Sequence, residues 1–277
     1  LSYTINSNKL ICRTLARLFA WSFHTMLGRV HPANSSLLSK RAVTSSLIVL
    51  GTMRAEAAHA AKPQKHTEKA KKILEYQANN PMKLESRPMI YDSDPPTPLP
   101  DVCVGLTPND VKPSPDAHPH WAIVCTALLY AACGGLDHSH NLVTPLSWGA
   151  PTSYGGPPIR GSPAAKEAAY VHAITHRMEG LCDGEFGDGY SNSNYWYSAA
   201  GPHEIQGPLL EKAREYASGS PRLEQLISNH GDRFSPHKFV SICQQADISK
   251  DQELKQFCEK VANTEWRMLF DHAHARM

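Results

Sequence analysis

The chain has no long uncharged apolar run, and this excludes a membrane-spanning helix. None of its hydrophobic stretches approaches the ~20 residues that a helix needs to cross a bilayer. Hydrophobic residues make up 41% of the sequence, charged residues 19% and aromatic residues 8%. This composition excludes a wholly disordered chain or a coiled coil. We therefore expect a globular protein of 277 residues, built as one large domain or two small ones.

Acidic residues are missing from the N-terminal part of the chain. Residues 1–55 contain seven Lys or Arg and no Asp or Glu, a bias typical of mitochondrial or plastid transit peptides. The alternative is that translation starts at Met26 or Met53, which would leave a cytoplasmic protein. In either case we expect residues 1–60 to be a disordered leader outside the fold.

The rest of the chain lacks the clustered basic charge of a nucleic-acid-binding surface. Residues 56–277 hold 21 basic and 26 acidic residues, which argues against a nucleic-acid partner. The seven cysteines include no Cys-x-x-Cys pair and are too sparse for a disulfide scaffold. We expect buried free thiols in a reducing compartment.

The common catalytic and nucleotide-binding motifs are also missing. There is no Walker A, Gly-x-Ser-x-Gly or Gly-x-Gly-x-x-Gly segment. The acidic, glycine-rich segment 183–189 fails the EF-hand register, because Gly187 falls at its fifth position and Asn194 at its twelfth. No local motif therefore supports a triad hydrolase, a nucleotide-binding enzyme or this type of calcium site.

Residues 62–118 contain a short helix followed by a proline-rich segment. Residues 62–78 carry five lysines, with Thr67 as a candidate N-cap, and predict a short amphipathic helix. Ten of the 21 prolines lie between Pro81 and Pro119, which disfavours both helix and central strand. Residues 81–118 are therefore predicted to be an extended linker or a strap lying over the domain.

Residues 119–274 show helical periodicity and no alternating strand pattern. The uncharged segment 121–133 predicts a buried core helix. The last helix is predicted to start at Ser249, with Gln252 completing a capping box. Three Ser-Pro pairs each predict a helix start: Ser162-Pro163, Ser220-Pro221 and Ser235-Pro236. The predicted fold is all-α, a compact bundle of paired helices.

Three segments in order resemble a family of uncharacterised fungal, bacterial and algal proteins. The family pattern is Leu-Asp-x-Ser-His, then His-Ala-x-x-His-Arg-x-Glu, then Asn-Ala-x-Tyr-Trp and Gly-x-His. The matching segments are Leu136-Asp137-His138-Ser139-His140, His172-Ala173-Ile174-Thr175-His176-Arg177-Met178-Glu179, Asn192-Ser193-Asn194-Tyr195-Trp196 and Gly201-Pro202-His203. The resemblance implies a helical protein and no assigned activity. The motif also loosely resembles one tetratricopeptide-type hairpin, although no 34-residue period is present.

Residues His172, His176 and Glu179 are spaced to share one helix face. Side chains at i and i+4 converge, so these groups could chelate Zn, Fe or Mn. Ala173 stands where a His-Glu-x-x-His metalloprotease would have its general-base Glu. A fourth ligand could come from His138, His140 or His203.

Two other roles for this face remain open. The histidines could be interior hydrogen-bonded groups, with Glu179 pairing Arg177 or a neighbouring helix. They could also line a polar groove with nearby aromatic residues. Asn192 is predicted to cap the aromatic helix, and Asp137 is predicted to cap the helix that follows Gly135. The groove residues would be Tyr170, His172, His176, Arg177, Glu179, Asn192, Tyr195, Trp196 and His203.

Two functions follow from these alternatives. The leading hypothesis is a soluble, non-catalytic helical module that binds an unknown small molecule or protein in the groove. The other is a metal-dependent enzyme, a hydrolase or an oxygenase, with His172, His176 and Glu179 as ligands.

Overall fold

Helices dominate the part of the chain that the computed structural model describes, residues 65–89, 98–184 and 186–277. These residues all belong to one compact unit, Ala58–Met277, and the predicted leader over residues 1–60 lies outside them. The helices are α1 (Glu68–Asn79), α2 (Pro108–Val111), α3 (Pro119–Ala132), α4 (Leu136–Ser147), α5 (Ala165–Glu179), α6 (Gly189–Ala200), α7 (Gln206–Ala217), α8 (Pro221–Ser228), α9 (Pro236–Ser249) and α10 (Gln252–His274). Among the described residues the only strands are a two-residue antiparallel pair, β1 (Asp183–Gly184) and β2 (Gly187–Asp188). The predicted all-α class is confirmed.

Side-chain caps explain several helix starts. Thr67 accepts a hydrogen bond from the backbone N–H of Ala70 at the start of α1, as its sequence position predicts. Ser220 and Ser235 cap α8 and α9 in the same way, each followed by proline at the first helical position. These three predicted starts are confirmed.

Two helix starts differ from the prediction. The Ser162-Pro163 pair forms a turn ahead of α5, which begins at Ala165. Ser249 is the last residue of α9, and α10 begins after Asp251, whose carboxylate accepts from the N–H of Leu254 at 3.0 Å. Ser and Asp are comparable N-caps, and Ser249 is still part of the preceding helix, so the cap falls two residues further on.

The predicted capping roles of Asp137 and Asn192 are also wrong. Asp137 lies inside α4, whose N-cap residue is Gly135. Asn192 lies inside α6, which starts earlier because Asp188 accepts from the N–H of Ser191 at 2.7 Å. Both residues are buried.

The core is centred on α3, α5 and α10. The apolar helix α3 is buried almost all round and packs against α4 and α10, while α5 packs against α4 and α6. Trp266 on α10 donates from its indole N–H to the carbonyl of Leu128 on α3 at 2.7 Å. Successive helices thus pack in pairs, and α10 packs against α3, α7 and α9.

The proline-rich segment packs onto the helices as a strap wherever it is described. Leu106 and Val111 are buried, and the hydroxyl of Tyr130 donates to the carbonyl of Leu106 at 2.6 Å. Asn263 on α10 bonds both backbone groups of Met82, at 2.9 Å each. These contacts support the strap alternative, with residues 90–97 outside the described part.

The cysteines only partly follow the prediction. Cys103 in the strap, within a 3₁₀ turn at Asp101–Cys103, is joined by a disulfide to Cys133 at the end of α3. The expectation of free thiols is wrong for this pair. It holds for Cys125, Cys243 and Cys258, which are buried and unpaired by disulfides.

Among the described residues, no helix combines the length and the apolar character that crossing a membrane would require.

Candidate functional site

Helix α5 carries the predicted motif and is buried along most of its length. Alanines at 165, 168, 169 and 173 allow close approach of its neighbours. The helix ends at Gly180, whose φ of 65° favours glycine. Gly189 at the start of α6 lies so close that a Cβ there would meet the His176 carbonyl oxygen at 2.4 Å. The two glycines therefore set α6 directly against the C-terminal end of α5.

A cluster of three buried histidines forms where α4, α5 and α6 meet. His172 and His176 on α5 are each 1% exposed, and His140 on α4 is 7% exposed. One ring nitrogen of each lies within 4.8 Å of the corresponding nitrogens of the other two. The predicted burial of this face is confirmed, and His140 is the one of the three proposed additional ligands that the fold brings to it. We call these residues the three-histidine cluster.

His172 is oriented by a hydrogen bond and by stacking. The Ser147 hydroxyl donates to the Val143 carbonyl at 2.8 Å, so it accepts from Nδ1 of His172, 2.9 Å away. The Trp196 ring lies parallel to the His172 imidazole, with ring centres 3.8 Å apart. The proton of the neutral His172 ring is therefore on Nδ1 and the lone pair on Nε2.

The other two imidazoles are oriented in the same way. Nδ1 of His176 donates to the Glu179 carboxylate at 2.8 Å. Nδ1 of His140 donates to the side-chain oxygen of Asn141 over a longer distance, 3.3 Å. In all three rings Nδ1 is the donor, so Nε2 carries the lone pair in the neutral form.

Burial keeps two of the rings neutral. It lowers the pKa of His140 to about 3, and the neighbouring His176 lowers it further, against a smaller opposing effect of Asn141. Burial also holds the pKa of His172 well below its usual value, with His140 and His176 adding to the effect. Neutral imidazole is the form that binds metal ions.

Arg177 and Tyr170 belong to a different cluster, on the side of α5 that faces α10. Nη1 of Arg177 forms an ion pair with a carboxylate oxygen of Glu265, 2.6 Å away. The same nitrogen donates a hydrogen bond to the Tyr197 hydroxyl at 2.6 Å. The hydroxyls of Tyr170 and Tyr197 both donate to the other Glu265 oxygen, at 2.9 and 3.1 Å. Glu179 thus pairs with His176, and Arg177 with Glu265.

His203 lies in a third cluster, with Glu167 and His272. The two imidazoles approach the same oxygen of Glu167, at 3.5 Å from His203 and 3.3 Å from His272. Burial raises the pKa of Glu167, but the contacts with the two histidines outweigh it and lower the value to about 2.

The remaining candidates lie apart from the three-histidine cluster or at its edge. His138 stacks on Tyr130, with ring centres 4.8 Å apart. Asn192 is buried in α6, while Tyr195 is 62% exposed and contacts the edge of Trp196. The nine predicted groove residues are therefore divided among separate places around α5.

Several partners in these clusters were missed by sequence reasoning. Glu265 and His272 could have been found, because they continue the core spacing of α10 set by Val261 and Leu269. Glu167 and Ser147 gave no such signal. Their roles depend on which helix packs against which.

No family model matches this chain, and neither the curated proteins nor the solved structures that were searched contain a match. The resemblance to the uncharacterised helical family remains a prediction.

Proposed function

We propose that the three-histidine cluster binds a divalent transition-metal ion, with His140, His172 and His176 as ligands. The observation that carries the proposal is the shared orientation of the rings. Each Nδ1 donates to an oxygen, while one nitrogen from each ring converges within 4.8 Å of the others. Buried neutral imidazoles grouped at this spacing are the side chains that most often bind a transition-metal ion in proteins.

Glu179 supports the site by holding a ligand, and it does not bind the metal ion itself. Its carboxylate accepts from Nδ1 of His176 at 2.8 Å, the carboxylate–histidine arrangement that fixes the ring and raises its basicity in metal centres. Ser147 does the same for His172. The sequence hypothesis made Glu179 a ligand, whereas these contacts favour a role in positioning His176.

The ligand set favours zinc. Three imidazoles without a carboxylate suit Zn²⁺ better than Mn²⁺, which prefers oxygen ligands. Nitrogens bound to a tetrahedral zinc lie about 3.4 Å apart, so the rings would close by up to about 1.4 Å from the 4.8 Å limit. Trp196, Ser147 and Glu179 restrict the rotations that could achieve this.

Three histidines leave the fourth position of a tetrahedral zinc for water. Zinc held in this way lowers the pKa of its water and supplies a hydroxide nucleophile at neutral pH. Among the activities expected from the sequence, the centre therefore favours a metal-dependent hydrolase. The single binding groove has less support, because Tyr170, Arg177 and His203 contact other clusters.

Zinc titration of metal-free protein, prepared without a histidine tag, tests the proposal. We expect wild type to bind Zn²⁺ tightly and His176→Ala to lose this site. Glu179→Gln should weaken zinc binding roughly 10- to 100-fold. His237→Ala removes an exposed histidine on α9 and should bind as wild type does. Circular dichroism would check that each variant is folded.

Cobalt provides a second readout of the same site. Co²⁺ bound by three histidines should give visible absorption bands in wild type and in His237→Ala, and none in His140→Ala. A folded wild type that binds neither ion, or a His176→Ala variant that binds zinc unchanged, would refute the proposal.

A further inference from the structure

We propose that Glu167, His203 and His272 form a second metal site, weaker than the three-histidine cluster. The three residues come from the first turn of α5, the α6–α7 loop and the last turn of α10. One ligand atom from each lies within 4.8 Å of the other two. Two imidazoles and one carboxylate form the ligand set that holds Fe²⁺ in many oxygenases and also accepts Mn²⁺ or Zn²⁺.

Two buried atoms in this cluster lack hydrogen-bond partners. Among the described residues nothing bonds the second carboxylate oxygen of Glu167, Oε2. Nε2 of His203 lies 3.5 Å from the other oxygen but is not aligned for a hydrogen bond. Both side chains are more than nine-tenths buried. Unsatisfied polar atoms are costly inside a protein, and one cation between them would bind both.

The charge of the cluster suits a cation. The Glu167 carboxylate faces two imidazoles. A second carboxylate, Glu204, lies 3.7 Å from Nδ1 of His272 and would orient that ring with Nε2 towards Glu167. Glu204 also binds Arg276 and is largely exposed, so this side of the cluster lies near the protein surface.

His203 explains why this site should be the weaker one. Its Nδ1 accepts a hydrogen bond from the backbone N–H of Ile205 at 3.3 Å, so the neutral ring carries its proton on Nε2. Metal binding through Nε2 would require this proton to leave and the Ile205 bond to be given up. No such exchange is needed in the three-histidine cluster, where every Nδ1 is the donor.

Calorimetric titration of the metal-free full chain with Zn²⁺ tests the second site. We expect wild type to bind two ions, the second at least tenfold more weakly than the first. Glu167→Gln, which keeps the side-chain shape, should lose only the weaker event. His176→Ala should lose only the tighter one, so failure at one site is distinguishable from failure at the other.

Two further variants complete the test. His272→Gln gives a second way to remove the weaker site if Glu167→Gln does not fold. Glu211→Gln is the matched control, because it removes an exposed carboxylate on α7 that is not a member of the cluster, and it should still bind two ions. A wild type that binds one ion, or folded Glu167→Gln and His272→Gln variants that still bind two, would overturn the proposal.

Discussion

Replacing Arg177 with methionine should leave a carboxylate buried without its counter-charge. Arg177 and Glu265 are 3% and 0% exposed in their side chains and approach to 2.6 Å. The guanidinium also lies over the Phe239 ring, 4.8 Å from its centre. Arg177→Met keeps much of this apolar contact, so its main effect is to remove the positive charge.

The expected loss of stability is large. Removing one partner of a buried ion pair costs about 3 to 5 kcal/mol. For a domain of this size, each kcal/mol lowers the melting temperature by roughly 2 to 4 °C. We therefore expect Arg177→Met to melt about 6 to 20 °C below wild type.

A double variant separates the charge effect from lost packing. Glu265→Gln keeps an oxygen that can accept from the Tyr170 and Tyr197 hydroxyls but carries no charge. Arg177→Met combined with Glu265→Gln should therefore melt above Arg177→Met alone, because the stranded charge is gone.

Thermal and urea unfolding would measure this cycle. The control is Lys212→Met, which removes an exposed ion pair with Glu215 and should leave the free energy of unfolding nearly unchanged. The reasoning is refuted if Arg177→Met costs less than about 1 kcal/mol, a value expected of a surface pair, or if the double variant is the less stable of the two.

Two other predictions concern the strap and the pH dependence of stability. Asn263→Ala removes both hydrogen bonds to Met82 and should speed protease cleavage within residues 81–89, whereas equal cleavage rates in wild type and variant would contradict this role. Burial lowers the pKa of His230 to about 4, with Lys238 and Arg214 lowering it further. The unfolded state therefore binds the proton first, so this contribution to stability is complete above pH 6.5 and is lost as the pH falls to about 4. Urea unfolding at several pH values should show a shallower decline for His230→Asn than for wild type, and parallel curves would contradict it.

Several helices were predictable because their signals are local. The uncharged segment of α3, the Ser-Pro starts of α8 and α9 and the Thr67 cap depend on neighbours within a few residues. The start of α10 failed because Ser249 and Asp251 offered competing caps. A choice between two nearby caps depends on where the preceding helix ends, and that is set by packing.

The three-histidine cluster was only partly predictable. The i, i+4, i+7 spacing placed His172, His176 and Glu179 on one face of α5. Choosing His140 over His138 required the rotation of α4 against α5, which spacing along the chain does not give. Positions two residues apart on a helix differ by about 200°, so His138 points towards Tyr130 while His140 reaches the cluster.

The division of polar residues around α5 has a physical reason. A helix buried on nearly every side must satisfy its polar side chains separately against each neighbour. His172 and His176 meet α4 and α6, Arg177 meets Glu265 on α10, and Glu167 meets His272 near the end of α10. Which side chains meet at each neighbour depends on the rotation of α5, so the buried ion pair and the three-histidine cluster require the same placement of this one helix.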